Sequence, residues 1–282
     1  MTDLKKILIT GAHSYIGESV KEYLLQEPEK YTVDIIEAKG LKPVSGNFKG
    51  YDVVFNVAGI AHIKETKRNQ HLYYEVNRDL SIQIAKAAKE AGVKQLILLS
   101  SMSVYGLITG HITKSSVPHP INAYGKSKLQ ADEEIIKLED ENFKFACLRP
   151  PMVYGKGCKG NYQTLRKFVL TTPIFPNFNN KRSMIYIGNL CEFVKQCIDD
   201  EKRGLFFPQN AFYVTTSSMA KTIANFHGKT ILFTRLFNWA IRLIPIGVVK
   251  KVFGNLTYES VDLIDKYSFV ESINLAEEKV VV

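Results

Sequence analysis

Short apolar runs and helix-period segments take turns along the first 150 residues, and that alternation limits the fold more than any single motif. KKILIT (5–10), YTVDIIEA (31–38), YDVVFNVAG (51–59), QLILLSS (95–101) and KFACLRP (144–150) read as strands. Between them, Ile16 to Gln26, Tyr73 to Ala91 and Ser127 to Leu138 carry apolar residues at helical spacing. QLILLSS is apolar without alternation, the pattern of a strand buried on both faces. Strand–helix–strand order of this kind predicts an α/β fold with a parallel sheet covered on both sides. The segment AKGLKPVSGNFKG (38–50) holds three glycines and a proline. It predicts a loop or one brief strand rather than a crossover helix.

From Pro150 onward the rhythm changes, and Gly, Pro, Asn and aromatics crowd PPMVYGKGCKGNY and TTPIFPNFNNKRS. Loops of this composition build substrate lobes over rigid sheets. The expected division is therefore 1–150 as a nucleotide-binding domain and 151–282 mainly as a smaller substrate-binding lobe, some segments of which rejoin the sheet. At 282 residues and 45% hydrophobic, the chain is long enough for such a pair around a sizeable core.

A formal charge of +9 is compatible with nucleic acid, anionic membrane or phosphorylated small molecules. No Lys/Arg run exceeds two residues and no aromatic–basic interleaving stands out, so nucleic acid is not the expected partner. Cys147, Cys158, Cys191 and Cys197 lack metal spacing and read as reduced thiols. No apolar run is long enough to span a bilayer, and MTDLKKILIT leads straight into a strand, which predicts a cytoplasmic protein without a signal peptide. Residues 235–253 (RLFNWAIRLIPIGVVKKVF) suggest a membrane-surface helix or a packed helix pair. Pro245 and Gly247 interrupt the pattern and favour the packed pair.

ITGAHSYIG joins the first strand to the first helix. Gly11 and Gly17 hold the outer positions of a G-x-x-G-x-x-G pattern, with Ser14 at the centre and Tyr15 and Ile16 opening the helix. A dinucleotide pyrophosphate rests on a helix N-terminus at such a turn, which makes the expected fold Rossmann-type and doubly wound. Ser14 carries a Cβ where glycine lets the backbone approach phosphate, and its hydroxyl is a donor in compensation. Glu37 closes the second strand, where a carboxylate accepts from the adenosine ribose hydroxyls and repels a 2′-phosphate. That favours NAD over NADP. Asp34 lies on the other strand face and is the weaker candidate.

INAYGKSK sets Tyr124 and Lys128 four residues apart, on one helix face continued by Ala131, Ile135 and Leu138. An ammonium beside a phenol is expected to lower a pKa that starts near about 10. Ser101, in SSMSVYG, follows a parallel strand at its carboxyl end, the side of the sheet that faces ligand. Three such groups converging on one substrate oxygen suggest proton transfer coupled to hydride transfer.

GAHSYIG, YDVVFNVAG, Tyr74 and Asn77 in YYEVN, SSMSVYG, YGKSK and LRPPMVYG occur in this order along nearly the whole chain. Together they resemble the extended short-chain dehydrogenase/reductases that modify nucleotide-linked sugars. The resemblance implies Tyr124 as acid/base and Lys128 as the residue that binds the nicotinamide ribose and tunes Tyr124. It implies Ser101 as the holder of the substrate hydroxyl or ketone. Ala58 and Gly59 line the cofactor, and Asn77 takes a structural asparagine position. Asn161 and Arg182 match positions that contact the nucleotide diphosphate, with Arg242 a further phosphate candidate. Tyr105 either packs under the site or serves it. His62 lies near the crevice end of its strand. In relatives the helices at 75–91 and 125–139 pair two copies, which implies a possible homodimer.

Related 4,6-dehydratases carry an Asp-Glu pair where this chain has Met102 and Ser103. Neither is a general acid or base at neutral pH, so dehydration is not expected. A UDP-hexose 4-epimerase of the UDP-glucose or UDP-GlcNAc type and an NAD(P)H-dependent UDP-4-keto-6-deoxy-hexose reductase both remain. Glu37 leans toward the epimerase. Ser14, the short segment after the second strand, and Met152 in place of an epimerase asparagine lean toward the reductase. A non-catalytic cofactor-sensing or RNA-binding module is the alternative of another class. Such relatives lose the Tyr or Lys that this chain keeps.

Overall fold

The apolar runs pair into one parallel sheet, because a strand with no polar face is stable only with neighbours and helices on every side. The computed structural model describes residues 4–61, 63–236, 238 and 252–278. Its strands are β1 (Lys5–Thr10), β2 (Tyr31–Ile36), β3 (Val53–Asn56), β4 (Gln95–Leu99), β5 (Lys144–Leu148) and β6 (Gly204–Phe206), in the spatial order β6-β5-β4-β3-β1-β2. All pairs are parallel; Ile7 of β1 registers with Val33 and Val53, and Ile97 of β4 with Phe55 and Ala146. Ile7, Leu8, Ile9, Phe55, Leu96, Ile97 and Leu148 are fully buried. The Rossmann-type sheet is thus the one expected, with β6 added at its edge. Between β2 and β3 only a 3-10 turn, Ser45–Asn47, forms, so a loop fills the segment.

The chain divides into two units. One comprises Met1–Gly106, Pro118–Pro150 and Leu190–Pro208; the other comprises Leu107–Val117, Pro151–Asn189 and Gln209–Val282. Residues 107–117, inside the span assigned to the first domain on sequence grounds, belong with the second unit. The strand at 204–206 belongs with the first.

In the first unit the segment 70–90 runs Gln70–Tyr73, a π-helical stretch Tyr74–Leu80, then Ser81–Glu90. A π stretch of this length is uncommon and such bulges gather at functional sites. Here it carries Asn77, fully buried. Asn77 Oδ1 accepts from the Ile60 N–H at 2.8 Å, and Nδ2 donates to the Ile60 carbonyl at 3.1 Å and the Ser127 hydroxyl at 3.3 Å. One amide thereby ties the loop after β3 to the helix that carries Tyr124.

The second unit is built of short parallel strand pairs, among them Met152–Tyr154 with Met184–Tyr186 and Gly110–Ile112 with Leu256–Tyr258. Helices Asn161–Thr171, Thr216–Phe226 and Phe269–Glu277 accompany them. The last is anchored by Glu277, whose carboxylate accepts from Tyr162, Arg166 and His227, each at 2.6 Å. Burial raises this carboxyl, but His227, Tyr162 and Arg166 outweigh it and hold the pKa below its ordinary 4.5. Because the folded value is lowered, this stabilisation is present above about pH 4.5 and is lost as pH falls through the folded value. Glu277→Gln is expected to cost about 2–3 kcal/mol at neutral pH, the range for hydrogen bonds to a charge. Denaturant unfolding measures it; an unchanged midpoint would mean that the cluster does not anchor the helix. No helix among the described residues is long and apolar enough to cross a membrane. Most of 235–253 lies outside the described residues.

Candidate active site

The sheet reverses direction of winding between β1 and β3, and in open α/β sheets ligands bind at the carboxyl ends of the strands on either side of such a point. The glycine loop follows β1 and the segment Val57–Gly59 follows β3. Gly11 has φ +115°, and a Cβ there would stand 3.1 Å from the Ala58 nitrogen. The two loops therefore meet through a position that only glycine fills without strain. A Cβ on Gly59 would stand 3.0 Å from Asn77 Oδ1 and 3.1 Å from Lys128 Nζ. Its absence keeps open a space beside that amine.

Tyr15–Leu24 is the first helix, with Ser14 as its N-cap. Ser14 Oγ accepts the Gly17 N–H at 3.1 Å. The hydroxyl proton is not used by that bond and is left to donate. Tyr15 and Ile16 form the first helical positions, where backbone N–H groups have no intrahelical partner. Glu37 follows the last residue of β2; its Oε1 accepts the Lys39 N–H at 3.0 Å, and its Oε2 lies 4.0 Å from His13 Nε2 at the surface. Asp34 is taken up by the Tyr51 hydroxyl at 2.8 Å. A glycine turn at a helix N-terminus, a cradle that a Cβ would fill and a strand-end carboxylate together fit a dinucleotide.

Tyr124 sits in the first turn of the helix Ala123–Ile135, and the capping there decides where the phenol stands. Asn122 Oδ1 accepts the Gly125 N–H at 2.8 Å, and Glu65 Oε2 accepts the Ala123 N–H at 2.9 Å. A Cβ on Gly125 would lie 2.6 Å from the Ser103 carbonyl oxygen. The helix and the turn after Ser101 thus touch through a glycine. Ser101 is the N-cap of that turn, Met102–Tyr105, with its Oγ 3.1 Å from the Ser103 nitrogen. The Ser101 side chain is close enough to the Tyr124 phenol to act on its pKa. Tyr73 packs edge-on to Tyr124, ring centroids 6.3 Å apart.

The electrostatics differ from the sequence expectation. The Tyr124 pKa lies above its ordinary value, not below: burial raises it, the Ser101 side chain pulls it back, and Asp132 and Tyr73 add to the rise. Lys128 is not among the groups that act on it. The Lys128 amine donates instead to the Leu99 carbonyl at 2.9 Å. The side chain is buried, and burial pushes its pKa down to about 8 against the opposing pull of Asp132 and Cys147. Sharing a helix face therefore did not make the phenol more acidic, because burial prevails and a carbonyl at the end of β4 takes the ammonium.

Arg182 belongs to the second unit. Its backbone is fixed by mutual hydrogen bonds with Val214, and Nη1 donates to the Gly254 carbonyl at 3.1 Å. Among the described residues no carboxylate forms an ion pair with it, and burial alone lowers its pKa. Asn161 is exposed and opens the helix Asn161–Thr171. Arg242 and His62 lie outside the described residues. Met102 and Ser103 occupy the turn after Ser101, and Tyr105 is buried with its hydroxyl accepting from Arg149 Nη1 at 2.8 Å.

Sequence reasoning missed Gly125, Ser100, Asp132 and Arg149. Asp132 and Arg149 form a buried ion pair, Nε to Oδ2 at 3.0 Å, behind the Tyr124 face. Its signal was legible: Asp132 is a carboxylate at i+4 from Lys128, between Ala131 and Ile135 of the inward face.

The model of the NAD-dependent epimerase/dehydratase family matches residues 7–205. The chain is similar to a UDP-glucose 4-epimerase of Vibrio cholerae, 28% identical over 98% of this chain and 89% of that protein. Its fold is similar to the UDP-glucuronic acid 4-epimerase of Bacillus cereus in complex with NAD, with TM-score 0.75, 17% identity and 96% of each chain covered. It is also similar to a dTDP-4-dehydrorhamnose reductase of Clostridium acetobutylicum, with TM-score 0.68, 22% identity, 81% of this chain and 82% of that one.

Proposed function

Since the chain belongs to the NAD-dependent epimerase/dehydratase family, whose members act on nucleotide sugars as epimerases or reductases, we propose that it inverts C4 of a UDP-hexose of the glucose or GlcNAc type. The observation that carries this reading is Ser101 beside the Tyr124 phenol with buried Lys128 on the same helix face as Tyr124, next to a turn that lacks any carboxylate. A site so built moves one proton at one oxygen and has no second acid to expel water.

Gly11, Ser14, Tyr15, Ile16 and Gly17 would hold the diphosphate of NAD, Glu37 its adenosine ribose, and Ala58, Gly59 and Lys128 its nicotinamide end. NAD supplies the acceptor and the donor of hydride at C4. Ser101 holds O4 of the sugar beside the Tyr124 hydroxyl. Tyr124 takes the O4 proton as the carbonyl forms and returns it after the 4-ketose has turned over. In the ligand-free protein its raised pKa keeps the phenol protonated, the form that donates to a carbonyl oxygen. The opposite transfer requires a nearby cation, and Lys128 is the ammonium four residues on. Arg182, a half-buried guanidinium with no acidic partner among the described residues, offers the fork geometry that a diphosphate takes. Arg182→Ala is expected to raise KM for the nucleotide sugar about 10–100-fold with a smaller change in kcat, the worth of one charged hydrogen-bonded contact. Steady-state kinetics check it, and an unchanged KM would remove Arg182 from the binding site.

Ketone reduction is the second reading. The segment between β2 and β3 forms only a 3-10 turn, which leaves less structure to hold the adenosine and suits an exchangeable cofactor. Incubation with UDP-glucose, UDP-GlcNAc and a UDP-4-keto-6-deoxy sugar, each with and without NADH, separates the two by proton NMR of the products. Turnover of either of the first two without added cofactor is the expected result. NADH consumption with the keto sugar alone overturns the epimerase in favour of the reductase.

A further inference from the structure

One turn beyond Lys128 the inward helix face presents Asp132, 5% exposed, where an ordinary core-facing helix carries an apolar residue. Its Oδ2 accepts the Ser100 hydroxyl at 2.8 Å and Arg149 Nε at 3.0 Å. The Cys147 thiol lies against the same carboxylate. Ser100 and Arg149 directly follow β4 and β5, so two strand ends hold this one side chain in place. A buried ion pair is weak evidence for stability, since apolar residues of the same volume often do as well. What an apolar pair does not provide is a charge one turn from buried Lys128 on the same helix.

We propose that Asp132 is the positioning residue of the Tyr124–Lys128 face: fixed by Ser100 and Arg149, its carboxylate is the counter-charge that keeps the buried Lys128 protonated. The proposal rests on the reading of Tyr124 and Lys128 as the reacting groups. Lys128 is otherwise met by the Leu99 carbonyl and stands beside the Gly59 backbone, neither of them charged. Cys147, on β5, is held neutral by burial, which raises its pKa well above 9.0. Tyr105 and Tyr124 are phenols raised by burial, and Arg149 is already engaged by Asp132. Asp132 is thus the one carboxylate that acts on Lys128 among the described residues, and it opposes the burial that pushes the ammonium toward about 8. It acts on Tyr124 in the same sense, so both groups hold their protons to higher pH than they would without it. The Asp132 carboxyl itself is raised by burial and held back by Arg149 and Ser100, in that order.

The test reads Lys128 itself. The full chain is labelled with 13C-lysine and titrated by NMR, and the Lys128 resonance is assigned by its loss in Lys128→Met. The wild-type midpoint is expected near about 8. In Asp132→Asn it should fall by about one unit, which is tenfold more free amine at a given pH, and return in Asp132→Glu. The pH profile of kcat/KM should move in the same direction. If Asp132→Asn does not fold, the double variant Asp132→Asn/Arg149→Met removes both charges without stranding either, and a smaller fall in the same direction is expected, because the loss of the cation partly offsets that of the carboxylate. An unchanged Lys128 midpoint in whichever of these variants is folded overturns the proposal. A shifted midpoint in a protein that turns over no nucleotide sugar leaves the proposal standing and overturns the reaction proposed above.

Discussion

Tyr124→Phe is expected to lower turnover by about 10³- to 10⁴-fold, the upper range for loss of a positioned acid–base group. The ring stays, so its edge-on packing with Tyr73 and the burial of the helix start stay with it. Only the hydroxyl that meets Ser101 is removed. NADH affinity, read by fluorescence titration, should therefore change less than about twofold while kcat collapses. Single-turnover measurements with substrate and bound cofactor would locate the loss in the chemical step. Activity within about tenfold of wild type would take Tyr124 out of the mechanism and hand its part to another hydroxyl.

Gly11→Val should give the opposite pattern. At φ +115° a β-branched residue is strained, and its Cβ would be forced to 3.1 Å from the Ala58 nitrogen and 3.3 Å from its Cα. Those atoms continue a strand pinned by Thr10 and Asn56, whose side chains bond at 2.9 Å. They have no room to retreat. Strain and overpacking together should cost about 2–5 kcal/mol of stability. NADH affinity should fall by about 100-fold or more, because the turn that receives the diphosphate no longer closes. Thermal melting and calorimetry measure the two effects separately. A stable Gly11→Val protein that binds NADH normally would show that the glycine loop is a turn and nothing more.

The alternation of apolar runs announced the sheet because strand burial is written in local composition: in QLILLSS, four consecutive apolar residues, Leu96 to Leu99, follow Gln95 in the stretch that becomes β4. Boundaries were less legible. The strand expected to run through YDVVFNVAG forms only over Val53–Asn56, because Asn56 turns its Oδ1 back onto the Ala58 N–H at 3.0 Å and ends the ladder. The helix expected from Ser127 begins at Ala123, since Asn122 and Glu65 cap it from before and from afar. Glu65 is nearly sixty residues away, and no window of sequence contains that cap. The edge strand Gly204–Phe206 lay hidden for a related reason: three residues are too few to show a period and become a strand only because β5 is there to pair with them.

The sequence by itself determined the order of the elements, the glycine loop at the first strand–helix turn and the shared helix face of Tyr124 and Lys128. All three follow from spacing along a regular backbone. It also supplied the ground for proposing a reaction other than dehydration, since Met102 and Ser103 carry no acid whatever their surroundings. The tertiary structure decided the protonation of the site. Spacing suggested that Lys128 would make the Tyr124 phenol more acidic; burial makes it less so, and the amine turns to the Leu99 carbonyl. It also decided that Asp132 is held between Ser100 and Arg149 behind that amine. A pKa depends on desolvation and on charges brought from separate strands and helices, and neither quantity exists until the chain has folded.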